Sequence, residues 1–306
     1  MKRNIYINSP AYLSCQDKQL KITDPFTQSE KGSIPIEDIG LLIFDHYQIT
    51  LTHYLFQQVM QSGGAIVSCD DKHIPHAISL PFTGNNQHTQ RIRQQAAQTQ
   101  QHKNRLWKQI IVAKIENQAA LLRQLDKDAN KLKALSRTVK TGDKSNREAV
   151  AAKHYWGALF GHFIRDRYGT PPNHLLNYGY AILRSLTCQS LSQYGLHLAL
   201  GIHHIGKYNP TCLADDLMEP YRPYVDAYII QYLKDNPNQC DNEITSEVKK
   251  ALFPIGQIDV LLNQKIYPLQ IAINRSAKSL MNSLNKENYP LELPNLGKQL
   301  CSTDSV

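Results

Sequence analysis

Apolar residues change their spacing about 80 residues into the chain. Before that point they fall in short runs separated by turn residues, which predicts β-strands over residues 3–8, 20–23 and 40–45. Leu41, Leu42, Ile43 and Phe44 make the last of these a continuous apolar core run. Thr52 is placed to cap a helix whose Leu55, Phe56, Val59 and Met60 share one face, and Gly63-Gly64 would end it. A further buried strand is expected over residues 65–69. Residues 73–86 carry prolines, glycine and asparagines without a period and read as loop, so the domain boundary is placed there.

From about Thr89 the period becomes helical. Leu106, Ile110, Ile111, Ile115, Leu121, Leu122 and Leu125 predict one or two long helices reaching residue 139. Their outer faces are basic, with Lys114, Arg123, Lys127, Lys131, Lys133 and Arg137 among the charges, and most of these read as a solvated helix surface. Thr141-Gly142-Asp143 interrupts the pattern, and helices resume at Ser145 and run with breaks to about Leu284. The Pro-broken stretch from residue 288 reads as a mobile or draped tail. The expected fold class is α+β. A β-rich domain occupies residues 1–80, a linker residues 81–88, and a larger, mainly α-helical domain residues 89–306.

Composition narrows the function classes. At 306 residues, 42% of them hydrophobic, the chain exceeds the size at which one core usually stops growing, in keeping with two domains. A net charge of +8 is compatible with a polyanionic partner without requiring one. No apolar run approaches the ~18 residues of a membrane span. The basic start at Lys2-Arg3 is cut short by Asn8 and Pro10, so it reads as a strand and not as a signal peptide. Cys15, Cys69, Cys188, Cys212, Cys240 and Cys301 form no CxxC pair, which argues for reduced thiols, a cytoplasmic location and no zinc-thiolate module.

Candidate chemistry sits in Glu148, in His203-His204, and in Asp215-Asp216 with Glu219. Carboxylates and an imidazole are donors suited to a hard or borderline divalent metal. Each has a plainer reading. Ser145-Asn146-Arg147-Glu148 fits a Ser-x-x-Glu capping box. Adjacent histidines diverge, so at most one of His203 and His204 serves as a ligand. Asp216 and Glu219, three apart, share a helix face but also suit an acidic first turn. Spacing alone leaves these alternatives open.

Four stretches carry a resemblance: Gly142-Asp143 through Asn146-Arg147-Glu148-Ala149 with Tyr155-Trp156, Asn177-Tyr178-Gly179-Tyr180 with Arg184, Leu200-Gly201-Ile202-His203-His204, and Asp216-Leu217-Met218-Glu219-Pro220 with Arg222-Pro223. Together with the His73-x-Pro75 loop they resemble the CRISPR spacer-acquisition integrase family, the universal nuclease subunit of CRISPR adaptation, in the form found with single-effector (type II) systems. The resemblance implies a metal triad of Glu148, His204 and Glu219, with Mg²⁺ or Mn²⁺ as cofactor. Asp216, Asn177, His203 and Arg222 would support it, and Arg165, Arg167 and Arg184 would contact DNA. It also implies a homodimer formed through the β domain and a small companion adaptation protein. Double-stranded DNA would be held as captured fragment and as CRISPR repeat, with the effector nuclease a further partner. The implied reaction is insertion of the fragment by 3′-hydroxyl transesterification. The alternatives are a metal-dependent nuclease of branched DNA and an inactive DNA-capture scaffold.

Overall fold

The computed structural model describes residues 2–71, 73–81, 85–166, 171–237, 244–286 and 288–297. The chain divides into two compact units, Met1–Asn86 with Thr245–Phe253, and Gln87–Ile244 with Pro254–Val306.

The first unit runs β1 (Arg3–Ile7), β2 (Ala11–Gln16), β3 (Gln19–Thr23), β4 (Glu30–Pro35), β5 (Ile39–Phe44), β6 (Ile49–Leu51), α1 (His53–Gln61), β7 (Ala65–Cys69) and β8 (Pro75–Ser79). One sheet has the order β1-β5-β7-β8 and the other β4-β3-β2-β6. In the first sheet β1, β5 and β7 are parallel, with Leu42 opposite both Ile5 and Ile66. Ile5, Leu13, Leu20, Ile39, Leu42, Leu55 and Val59 belong to one apolar cluster shared by both sheets and α1. Leu41 and Ile43 on the alternate face of β5 are equally buried, as the continuous run requires. The Thr52 hydroxyl accepts the Leu55 amide as the expected cap, and Gly63 takes a left-handed φ of 74° just past the helix end.

Residues 75–79 form an edge strand where loop was expected. Pro75 takes the first strand position, where a missing amide costs the ladder least. Strand β4 is equally unreadable in advance, because Glu30-Lys31-Gly32-Ser33 on a sheet edge need not alternate with apolar residues. The returning helix α9 (Ser246–Leu252) brings Lys249 to a buried contact with Asp45 at 2.8 Å. The same carboxylate receives His73 Nδ1 at 2.7 Å and the Tyr6 hydroxyl.

The second unit contains α2 (His88–Ala96), α3 (Gln100–Gln124), α4 (Asn130–Arg137), α5 (Arg147–Phe160), α6 (Asn173–Gln193), α7 (Cys212–Met218), α8 (Arg222–Asp235), β9 (Asp259–Leu262), β10 (Lys265–Pro268) and α10 (Leu269–Ser283). Helix α3 touches α4, α5, α7 and α8, and it carries Trp107 and Lys114 on its buried side. The β9–β10 hairpin was not expected. Its two turn residues, Asn263 and Gln264, both adopt positive φ, but Gln in place of Gly hides the Asn-Gly turn signal. The tail is draped over residues 289–297. Asn117 on α3 donates to the Pro294 carbonyl and accepts the Leu296 amide, and the Ser276 hydroxyl donates to the Glu292 carbonyl. Among the described residues, no helix is long and apolar enough to cross a membrane.

Candidate active site

Glu148, His203, His204, Asp216, Glu219 and the residues that contact them all belong to the second unit. Glu148 opens α5, yet the expected capping box does not form. Asn146, before the helix, sits in left-handed backbone and makes no side-chain cap bond. The Asp143 carboxylate does the capping instead, accepting the Arg147 amide at 2.8 Å and the Glu148 amide at 2.9 Å. It reaches them from a tight turn in which Gly142 has φ 72°. The Glu148 side chain is thereby released from the helix end. Its Oε1 accepts from Lys114 Nζ at 2.6 Å.

The same ammonium faces Oε2 of Glu219 at 2.5 Å as an ion pair, while Arg222 Nη1 donates to Glu219 Oε1 at 2.7 Å. Glu219 lies only 4% exposed at the junction of α7 and the turn leading to α8. Burial alone would push its carboxyl up, but the Arg222 guanidinium and the Lys114 ammonium outweigh that and hold it down to about 2. Lys114 was expected on the basic outer face of its helix and is instead 6% exposed. A signal for this was present: Lys114 follows Ile110 by four residues and Ile111 by three, so it shares their apolar stripe. Arg222 lies over the Tyr180 ring, 4.2 Å from its centroid.

His203 and His204 lie on the stretch before α7, organised by one fully buried carboxylate. Asp216 Oδ2 accepts the Ile202 and His203 amides at 2.6 and 3.0 Å, and Oδ1 accepts the His204 amide at 3.1 Å. Oδ1 also meets His204 Nδ1 at 2.7 Å, and this contact pushes the imidazole's pKa up. A carboxylate on Nδ1 places the proton there and leaves the Nε2 lone pair free. Only glycine fits at position 201, since a Cβ would lie 2.2 Å from the His204 carbonyl oxygen and 3.0 Å from Asp216 Oδ2. His203 turns the other way, stacked on Trp107 with centroids 4.2 Å apart, while His204 meets the same indole edge-on.

Of the arginines expected to contact DNA, Arg165 and Arg184 have protein partners in the structure, and the Arg184 side chain is exposed. Arg165 donates to Asn173 and Asn177 and lies over Tyr180, and burial lowers its pKa. Arg184 is paired with Asp215 at 2.6 Å, which also separates the roles of the two adjacent aspartates. Arg167 lies outside the described residues. Beneath Arg222, Tyr155 and Tyr180 both donate to Asp226, whose carboxyl burial pushes up to about 6. Burial likewise pushes the Cys69 and Cys188 thiols up to about 12, so neither is an activated nucleophile. Lys114, Asp143 and Trp107 are the site residues that sequence reasoning did not single out.

The structure thus joins Glu148 to Glu219 through Lys114, and His204 to Asp216. Among the described residues, no three His, Cys, Asp or Glu side chains stand close enough to hold one cation as they are placed. The donor chemistry nevertheless suits one: two carboxylates already share a positive charge, and the buried Oε2 of Glu219 accepts no aligned hydrogen bond.

The model of the family described as "CRISPR associated protein Cas1" matches residues 5–252. A CRISPR-associated endonuclease Cas1 from Neisseria meningitidis serogroup C is 30% identical over 96% of both chains. Among solved structures, a casposase bound to its integration product aligns with a TM-score of 0.77 at 18% identity, covering all of both chains. A Cas6-RT-Cas1–Cas2 complex aligns with a TM-score of 0.72 at 18% identity, covering 96% of this chain and 36% of that one. The structural likenesses carry the fold, and the two sequence matches carry the family: the chain belongs to the Cas1 family of CRISPR-associated proteins.

Proposed function

We propose that this chain is a metal-dependent DNA endonuclease and integrase of CRISPR adaptation, which inserts short captured duplexes at the CRISPR repeat. The observation that carries the reading is the pairing of Glu148 with Glu219 around one cation, together with a histidine of the same unit whose Nε2 is left free by Asp216. Its setting is a family in which the Neisseria relative bears the name endonuclease. In the proposed reaction the 3′-hydroxyl of the fragment attacks a repeat phosphorus. A new P–O bond forms as the repeat's own 3′-oxygen leaves with a proton. One phosphodiester replaces another, so no covalent protein nucleophile is required.

Glu148, His204 and Glu219 would hold Mg²⁺ or Mn²⁺, which supplies charge stabilisation at the phosphoryl and reacting oxygens. Coordination by both carboxylates requires Lys114 to release at least one of them. Asp216 keeps the His204 ring in one tautomer and orientation, and Asp143 keeps Glu148 aimed away from the helix end. Arg222, fixed by Glu219 and Tyr180, keeps a positive charge beside the acids. The working assembly is a homodimer formed through the β-rich unit, with a small companion adaptation protein and double-stranded DNA, and with the effector nuclease as a further partner. Support for the companion comes from the fold shared with the Cas1–Cas2 complex.

The test is strand transfer with the purified protein, its companion, Mg²⁺ or Mn²⁺ and a repeat-bearing plasmid, using fragments ending in 3′-hydroxyl or 3′-deoxy. Joining with the hydroxyl alone is expected. Equal nicking with both ends and no joined product would replace integration by the nuclease reading, and binding without either product would leave a scaffold.

A further inference from the structure

On the side of α3 turned away from the carboxylates lies a cavity of about 260 Å³ between α3, α4 and the draped tail. Arg123, Lys133 and Arg137 line it together with Ser136, Glu116 and Gly297. Arg123 follows Lys114 by nine residues, which at about 100° each is half a revolution of the helix, so the two cations face opposite sides of α3. The cavity is therefore separate from the candidate active site.

Three cations against one carboxylate leave the lining with a net of two positive charges. Among the described residues, Arg123, Lys133 and Arg137 have no side-chain ion pair, unlike Lys114, Arg184, Arg222 and Lys249 elsewhere in the chain. The walls are fixed. The tail wall is held by Asn117 through Pro294 and Leu296, and by the Asn295 amide bonded to the Leu261 carbonyl at 3.0 Å. Ser136 is buried, with its hydroxyl bonded to the Lys133 carbonyl at 3.0 Å. At Gly297 a Cβ would come within 3.2 Å of an Arg123 terminal nitrogen, so the absence of a side chain there lets the tail approach the guanidinium closely. The space opens to solvent and leaves room for a phosphate with its ester oxygens. Two guanidiniums and an ammonium around such a space match phosphate geometry and charge.

We infer that this cavity is a phosphate-binding site, and that its occupant is a backbone phosphodiester of a nucleic-acid strand passing over the α3–α4 face. A strand held there is positioned on the opposite side of α3 from the acids. The inference stands apart from the catalytic reading, because binding in this cavity needs neither metal nor strand transfer.

The test measures binding of a fluorescent duplex to the full chain in EDTA across a salt series, for the wild type, R123Q/R137Q and the control K131Q/K140Q. The control removes the same charge from exposed positions that do not line the cavity. Each lost phosphate contact should reduce the slope of log K against log salt by about 0.9. For R123Q/R137Q the expectation is a slope smaller by about 1 and binding at least about tenfold weaker at low salt, with a smaller change in the control. Tryptophan fluorescence confirms that the variants fold. Thermal melts with inorganic phosphate separate the sources. Stabilisation of wild type but not R123Q/R137Q, with duplex binding unaltered, would keep a phosphate site and overturn the strand as occupant. Equal duplex binding by both variants with no phosphate effect would overturn the site altogether. Because EDTA removes divalent metal, neither result depends on whether Glu148, His204 and Glu219 catalyse integration.

Discussion

Replacing Lys114 by methionine removes one of the two cations that hold the buried Glu219 carboxylate, and the structure sets the cost. The Glu219 carboxyl lies at about 2 against an ordinary 4.5. At roughly 1.4 kcal/mol for each pH unit, that drop is worth about 3 kcal/mol to the charged form in the folded chain. Since the carboxyl's folded value is depressed, this stabilisation is complete above pH 4.5 and is lost as pH falls from there through about 2. At pH 7 the whole of it is present. Burial opposes ionisation and persists when Lys114 is gone, so K114M is expected to cost about 2–4 kcal/mol, near the range for a buried charge stripped of a partner. Methionine nearly preserves the side chain's volume, so the loss is electrostatic and not a cavity effect. Both tryptophans, Trp107 and Trp156, lie in the second unit, and their fluorescence therefore reports urea unfolding of that unit. A cycle with E219Q isolates the pair: the double variant should be more stable than the sum of the single losses predicts, by at least about 1.5 kcal/mol. Additivity within about 0.5 kcal/mol would refute the claim that Lys114 and Glu219 are coupled.

Other expectations test the framework around the acids. D216N replaces an oxygen that accepts amide protons with an amino group that cannot, and it should lower strand transfer by about 10–100-fold. NMR titration of that variant should show His204 returning toward its ordinary pKa, and an unshifted value would show that Asp216 does not control the ring. D143A should cost about 0.5–2 kcal/mol by unfolding, with S145A nearly silent. The reverse order would restore the Ser145 capping box. G201A forces a Cβ against the His204 carbonyl and should abolish joining while duplex binding in EDTA persists. Normal joining by G201A would mean that the His203-His204 backbone need not hold this shape.

Local chemistry was sufficient for much of this chain. The Leu41–Phe44 run, the Thr52 cap with its Gly63 stop and the apolar period of α3 each reflect interactions within a few residues, and the structure contains all three. Helix counts and edges were less readable. The stretch expected to hold one or two helices holds α2, α3 and α4, and β4 and β8 are edge strands defined by a partner strand and not by their own pattern. The motifs around Glu148, His204 and Glu219 named the family before any geometry was known, because their order and spacing are specific. What each side chain touches was decided only by tertiary structure. Asp143 took the cap that Ser145 could have supplied, Arg165 was bonded to Asn177, and Arg184 was paired with Asp215. Lys114 became the cation between two acids that lie 71 residues apart in the chain because packing closed α3 against α5 and the turn after α7. A charged residue's meaning depends on the distances and dielectric that packing creates around it, and neither is a property of local sequence.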